Sequence, residues 1–206
     1  ITLEGLREGY RRVRVAGITI DKTRVTGGEP LLHPQFVEAM EIISETWNKD
    51  YSARTCVFSN GTLKLPKTKG WRYNLPSTDK SKQEWFRPSM LSPIDLGYSI
   101  TNGVDRNCTM QIGCGRVFDA YGFAACVFSP PIGRLLGIDP YSSQPVLKGD
   151  PEICKHCPYS LPRKQMWRLF VEVRKSKRPP TKTFQEAMAR AKNGLIKFTR
   201  FEDRKD

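Results

Sequence analysis

The chain has 206 residues, 38% of them hydrophobic and 10% aromatic, which suffices for one substantial core and is too short for two full catalytic domains. Its 34 Lys and Arg against 21 Asp and Glu leave a net charge of +13, which favours a phosphate-bearing or acidic partner and equally suits a basic solvated face. No apolar run approaches the roughly 18 residues of a membrane span, and the first residues do not resemble a secretory signal, so a reducing cytoplasm is the expected setting.

In chain order, residues 1–13 predict a short amphipathic helix with Leu3, Leu6 and Tyr10 on one side. RVRVAGITIDKTRVT then offers strand material, because the alternating valines do not make a helical face. GGEP closes that strand. Pro34 suits a first helical turn, and Phe36, Val37, Met40, Ile43 and Trp47 recur as a buried stripe. TCVFSNGTLKL predicts a short strand over Cys56 to Phe58, broken by Ser59-Asn60-Gly61. Strand, helix and strand at this spacing make a parallel β-α-β unit, and its loops GGEP and SNGT fall at the edge where such proteins commonly bind ligands.

The pattern weakens over 64–93, where Trp85, Phe86 and Arg87 line a cavity or pack as a connector, and IDLGYSI reads as another short strand. From Cys108 to Pro158, glycines, prolines and five cysteines dominate, a composition that a bound metal would stabilise. The tail predicts a helix over 163–174 with Trp167, Phe170 and Val173 toward the body and Arg163, Lys164, Arg168 and Arg174 outward. That basic face is expected to meet solvent or another subunit. An acidic peptide or nucleic acid is the alternative. After the basic RKSKRPPTK linker, Phe184, Met188, Ala191 and Leu195 suggest a last helix.

Gly27 and Gly28 can adopt backbone angles closed to other residues or let a ligand approach the main chain, while Glu29 offers an anionic acceptor for an ammonium or hydroxyl group and Pro30 fixes the next turn. The stretch matches neither a P-loop nor a dinucleotide fingerprint. A ligand cradle is one reading. A tight turn in which Glu29 caps a helix or pairs with Arg24 is the other.

The cysteines fall at 56, 108, 114, 126, 154 and 157. Cys154-Lys155-His156-Cys157 has the spacing of a metal pair, Cys114 and Cys126 supply the second pair most simply, and Cys108 is a further candidate. Four thiolates serve zinc or an iron–sulfur cluster alike. Cys56, in an apolar strand, reads as a small core residue rather than a nucleophile. His33 is expected to cap a helix or hydrogen-bond beside the GGEP turn, and His156 to face outward or support the metal loop.

TGGEPLLHP, followed by a helix and CVFSNGTLKL, resembles the second and third strand regions of radical SAM enzymes. That resemblance implies a partial TIM-like (β/α) barrel over 1–100, with Gly27, Gly28, Glu29 and Pro30 binding the methionyl amino group of S-adenosylmethionine and Ser59 and Asn60 in a polar role nearby. It also implies a 4Fe-4S cluster on a C-x3-C-x2-C loop, a spacing the chain does not contain and that would be expected before or around Ile1. Cys114, Cys126, Cys154 and Cys157, with Cys108, resemble the SPASM or twitch auxiliary-cluster region, which assigns 101–162 to a cysteine-rich module and 163–206 to a basic helical extension. The implied activity is formation of a 5'-deoxyadenosyl radical that modifies a peptide or small polar substrate, anionic in keeping with the charge, using an external electron donor and acting alone, as a homo-oligomer or with a protein partner. A nucleotide-modifying enzyme and a noncatalytic, metal-stabilised interaction protein are the competing expectations.

Overall fold

The computed structural model describes residues 1–47, 55–67, 71–74, 90–100, 108–176 and 179–204, so the expectation for Trp85, Phe86 and Arg87 lies outside the described residues. The chain is mixed α/β and divides into two compact units, 1–86 and 87–206; the tail beyond 163 belongs to the same unit as the cysteine-rich region.

In the first unit, Thr2 caps helix α1 (Leu3–Val15) by accepting from the Gly5 amide at 2.9 Å. The helix runs through the RVRV segment expected to be strand. Leu6, Gly9 and Val13 are buried at helical spacing, and Glu8 pairs with Arg12 one turn on at 2.8 Å, which together outweigh the modest helical cost of two valines. Strand is left only at β1 (Arg24–Val25).

Pro30–Leu32 forms a 3-10 turn, and helix α2 (Phe36–Ile42) follows with Gln35 as its cap, placing Pro34 just before the helix rather than in its first turn. Phe36, Met40 and Ile43 are buried as expected. Val37 is exposed and Ile42 is buried in addition, and the helix widens into a π turn over Ile43–Trp47. Strand β2 (Thr55–Phe58) pairs in parallel with β1, Arg24 opposite Cys56, and with β3 (Trp71–Asn74), Val57 opposite Tyr73. The described strands give the order β1-β2-β3 in a small parallel sheet. Its pleat turns Thr55 and Val57 inward and Phe58 outward; Cys56 is only half-buried.

In the second unit, IDLGYSI is not a strand. Pro93 opens a 3-10 turn, Pro93–Leu96, that Gly97 ends at φ 75°. Helix α3 (Thr109–Gly113) leads to the hairpin β4 (Val117–Asp119) and β5 (Gly122–Ala124), then to α4 (Ser129–Leu136), α5 (Pro151–Cys154), α6 (Arg163–Ser176) and α7 (Lys182–Ala191). Ile132, Ile153, Cys157 and Phe184 form one apolar cluster, and Leu91, Leu161, Met166 and Leu169 another. Met166 and Leu169 are the inward face of α6, with Phe170 half-buried beside them. Trp167, expected inward, is 56% exposed because it lies on the same side of the helix as Arg163 and Val171. On α7, Phe184 and Ala187 are buried while Met188 is exposed, and Leu195 lies beyond the helix. Among the described residues no helix is long and apolar enough to cross a membrane.

Candidate functional site

Two sites stand out, one in each unit. In the first, the GGEP and SNGT loops leave the C-terminal ends of the parallel strands β1 and β2 and so emerge at one sheet edge. Gly27 and Gly28 have φ of 110° and 48°, angles that favour glycine, and a methyl group added at either would meet nothing within 4 Å. Both are exposed. Pro30 is buried and starts the 3-10 turn.

Glu29 links the two loops. Its Oε1 accepts from the Leu31 amide at 3.2 Å, capping the turn, and its Oε2 accepts from the Asn60 amide at 2.7 Å. The tight-turn alternative, in which this carboxylate caps, is therefore present, together with a bond to the second loop that spacing did not reveal. Ser59 and Asn60 spend their side chains on their own loop. The Ser59 hydroxyl accepts from the Gly61 amide, and Asn60 Oδ1 accepts from the Thr62 amide and hydroxyl. The main chain of Asn60, rather than its carboxamide, is what reaches Glu29. His33 accepts from the Gln35 amide at Nδ1, which leaves the proton on Nε2, where it donates to the Ile1 carbonyl at 3.1 Å. It fastens the start of α2 to the chain's first residue.

In the second unit, Cys108, Cys126, Cys154 and Cys157 line one small cavity of about 10 Å³. All four are buried. Cys114 is exposed, does not line the cavity, and lies with its Sγ 3.8 Å from the Met110 sulfur. Short helix α3 explains the separation, since Cys108 caps its start and Cys114 its end. Six residues at about 100° each leave them about 120° apart around the axis.

Local signals build the rest of the cavity. Asp150 caps α5 by accepting from Glu152 and Ile153, Pro151 takes the first position, and Cys154 ends the helix. The Ser160 hydroxyl lies 2.7 Å from the Cys154 carbonyl and 2.6 Å from that of Cys157, holding the C-x-x-C loop closed. His156 is half-buried and supports this loop through a 2.8 Å contact between Nδ1 and the Ser92 hydroxyl. Cys126 follows β5, whose Gly122 lets the chain pass against Ser142.

Burial is the main reason the Cys154 thiol is pushed up to about 12, with Cys126 and Cys108 adding to it. Burial likewise raises Cys157. Among the described residues, no group of three or more His, Cys, Asp or Glu side chains is drawn tightly enough to hold a metal ion. The thiols instead ring a space. Sequence reasoning missed Gln111, which lines the same cavity and is 5% exposed. Its position three residues after Cys108 on a helix was the available signal.

No protein-family model matches the chain, and comparison with curated proteins and with solved structures finds no similar protein.

Proposed function

We propose that this chain forms part of a radical SAM enzyme, a partial TIM-like (β/α) barrel with a cysteine-rich auxiliary-cluster module, acting on a peptide or small polar substrate. The observation that carries the reading is the Glu29 bridge. A carboxylate fixed between two loops at one edge of a parallel sheet stands beside two glycines whose Cβ positions are open. Such a site suits an amino acid's ammonium group, which Glu29 would accept while the bare backbone of Gly27 and Gly28 lets the ligand come close. S-adenosylmethionine, on one-electron reduction, supplies a hydrogen-abstracting carbon radical. The chain's own task is to hold the cofactor's charged end still and to keep competing hydrogen donors away.

The reading of an iron–sulfur cluster in the second unit is supported by the chemistry of four buried cysteines that line one cavity. Cys108, Cys126, Cys154 and Cys157 would hold it, with Cys114 outside the set. A single zinc ion, at about 2.3 Å from each sulfur, would need neighbouring thiolates to close to about 3.8 Å. The cluster's thiolate ligands form only as their protons leave, so loading must overcome the burial that raises Cys154.

A nucleotide-bearing substrate is favoured by one specific feature. Exposed Trp167 shares the outer face of α6 with Arg163, Lys164 and Arg168, an arrangement that combines stacking with phosphate attraction.

The test is anaerobic reconstitution of the complete polypeptide with iron and sulfide, then assay of 5'-deoxyadenosine after addition of S-adenosylmethionine and dithionite. Its formation supports the reading. A complete polypeptide that takes up iron and forms none with any peptide or nucleotide substrate refutes it.

A further inference from the structure

Gln111 follows Cys108 by three residues on α3, lines the four-cysteine cavity and is 5% exposed, yet its Oε1 is buried without a hydrogen-bond partner. A buried carboxamide with an unsatisfied end is disfavoured in a finished core, and here it borders empty space ringed by thiols. The two ends of a carboxamide exchange by rotation about its last bond, so the same position presents either an acceptor or an N–H donor. Opposite four thiolates and the sulfides of a cluster, all electron-rich, the donor end is the one that gains a partner.

Two ligand sulfurs already have neighbours of this kind within the fold. The Ser129 hydroxyl lies 3.4 Å from Cys126 Sγ, and the Tyr159 amide hydrogen-bonds Cys157. Hydrogen bonds to cluster sulfur withdraw electron density and are one of the means by which a protein sets a cluster's reduction potential.

We propose that Gln111 is a positioning residue for the auxiliary cluster, its carboxamide donating to a core sulfide and raising the cluster's reduction potential. The proposal rests on reading the cavity as an iron–sulfur site.

The test uses the whole chain, reconstituted anaerobically with ferrous iron and sulfide, as native protein, Gln111→Met and Gln111→Leu. Iron and sulfide content, thermal unfolding and the midpoint potential from a dithionite titration followed by electron paramagnetic resonance are measured. Methionine keeps the size of the side chain and removes the donor. The expected result is unchanged loading with a midpoint shifted to lower potential. Should Gln111→Met unfold early, Gln111→Leu is decisive: its side chain carries no N–H or O–H, and its midpoint shifts to lower potential in the same way. Normal loading with an unshifted potential in a folded variant overturns the role of Gln111 while leaving the cluster reading intact. Failure of the native chain to take up iron and sulfide overturns both.

Discussion

The Asn60 amide donates to Glu29 Oε2 at 2.7 Å across 31 residues of sequence, tying the loop after β2 to the loop after β1. A hydrogen bond to a charged acceptor contributes about 1.5–3 kcal/mol, and loss of the cap on the 3-10 turn adds to it. Glu29→Ala is therefore expected to destabilise the chain by about 2 kcal/mol in urea denaturation, with Glu29→Gln intermediate. Unfolding of the alanine variant at the native midpoint would show that the bridge does not hold the loops together.

Gly122 combines a φ of 119° with a backbone neighbour so close that an added Cβ would lie 2.5 Å from the Ser142 carbonyl oxygen. Neither the backbone angle nor the contact can relax cheaply, because Phe123 and Ser142 exchange backbone hydrogen bonds at 2.9 Å. Gly122→Ala should cost at least about 2 kcal/mol and, through displacement of the strand leading to Cys126, reduce bound iron. Native stability in this variant would contradict the packing described around the hairpin.

Cys108 and Cys114 separate cleanly by substitution. Cys108→Ser is expected to lose most of the iron and acid-labile sulfide that the native chain binds, and Cys114→Ser to retain it. The opposite pattern would return Cys114 to the ligand set. Spacing could not have made this distinction, since Cys-x5-Cys says nothing of which thiol a short helix turns inward. The cysteine pair in Cys154-Lys155-His156-Cys157 was legible because three residues of separation bring both sulfurs to one side of a tight loop. The β-α-β unit was legible for a similar reason: glycine, asparagine and proline punctuate its strands, and Phe36, Met40 and Ile43 mark the inward face of α2. The RVRV segment misled because alternation over four residues is outweighed by the Glu8 ion pairs and the burial of Val13. IDLGYSI misled because Pro93 and Gly97 set the local geometry before its apolar residues could pair.

The two arginines beside Glu8 carry a pH signature. Hydrogen bonds from Arg11 and then Arg12 lower its carboxyl from 4.5 to about 2, so its contribution is complete above about pH 4.5 and is lost as pH falls toward 2. All three bonds to these arginines are near the surface, and a contribution of less than about 1 kcal/mol is expected. Urea unfolding of native protein and Glu8→Gln should differ near neutral pH and converge toward pH 2. A difference that stays constant across this range would mean the ion pairs do not stabilise α1.

The Gly27–Pro30 turn is proposed to hold the amino-acid end of S-adenosylmethionine. Equilibrium dialysis of radiolabelled S-adenosylmethionine against the anaerobically iron-loaded complete polypeptide measures this directly, with Glu29→Gln as the paired variant and circular dichroism to establish that it is folded. Saturable binding by the native protein is expected, weakened at least about tenfold in the variant, as loss of about 1.4 kcal/mol or more of charge-assisted hydrogen bonding requires. Equal binding by the two proteins, or none by the native one, would contradict it.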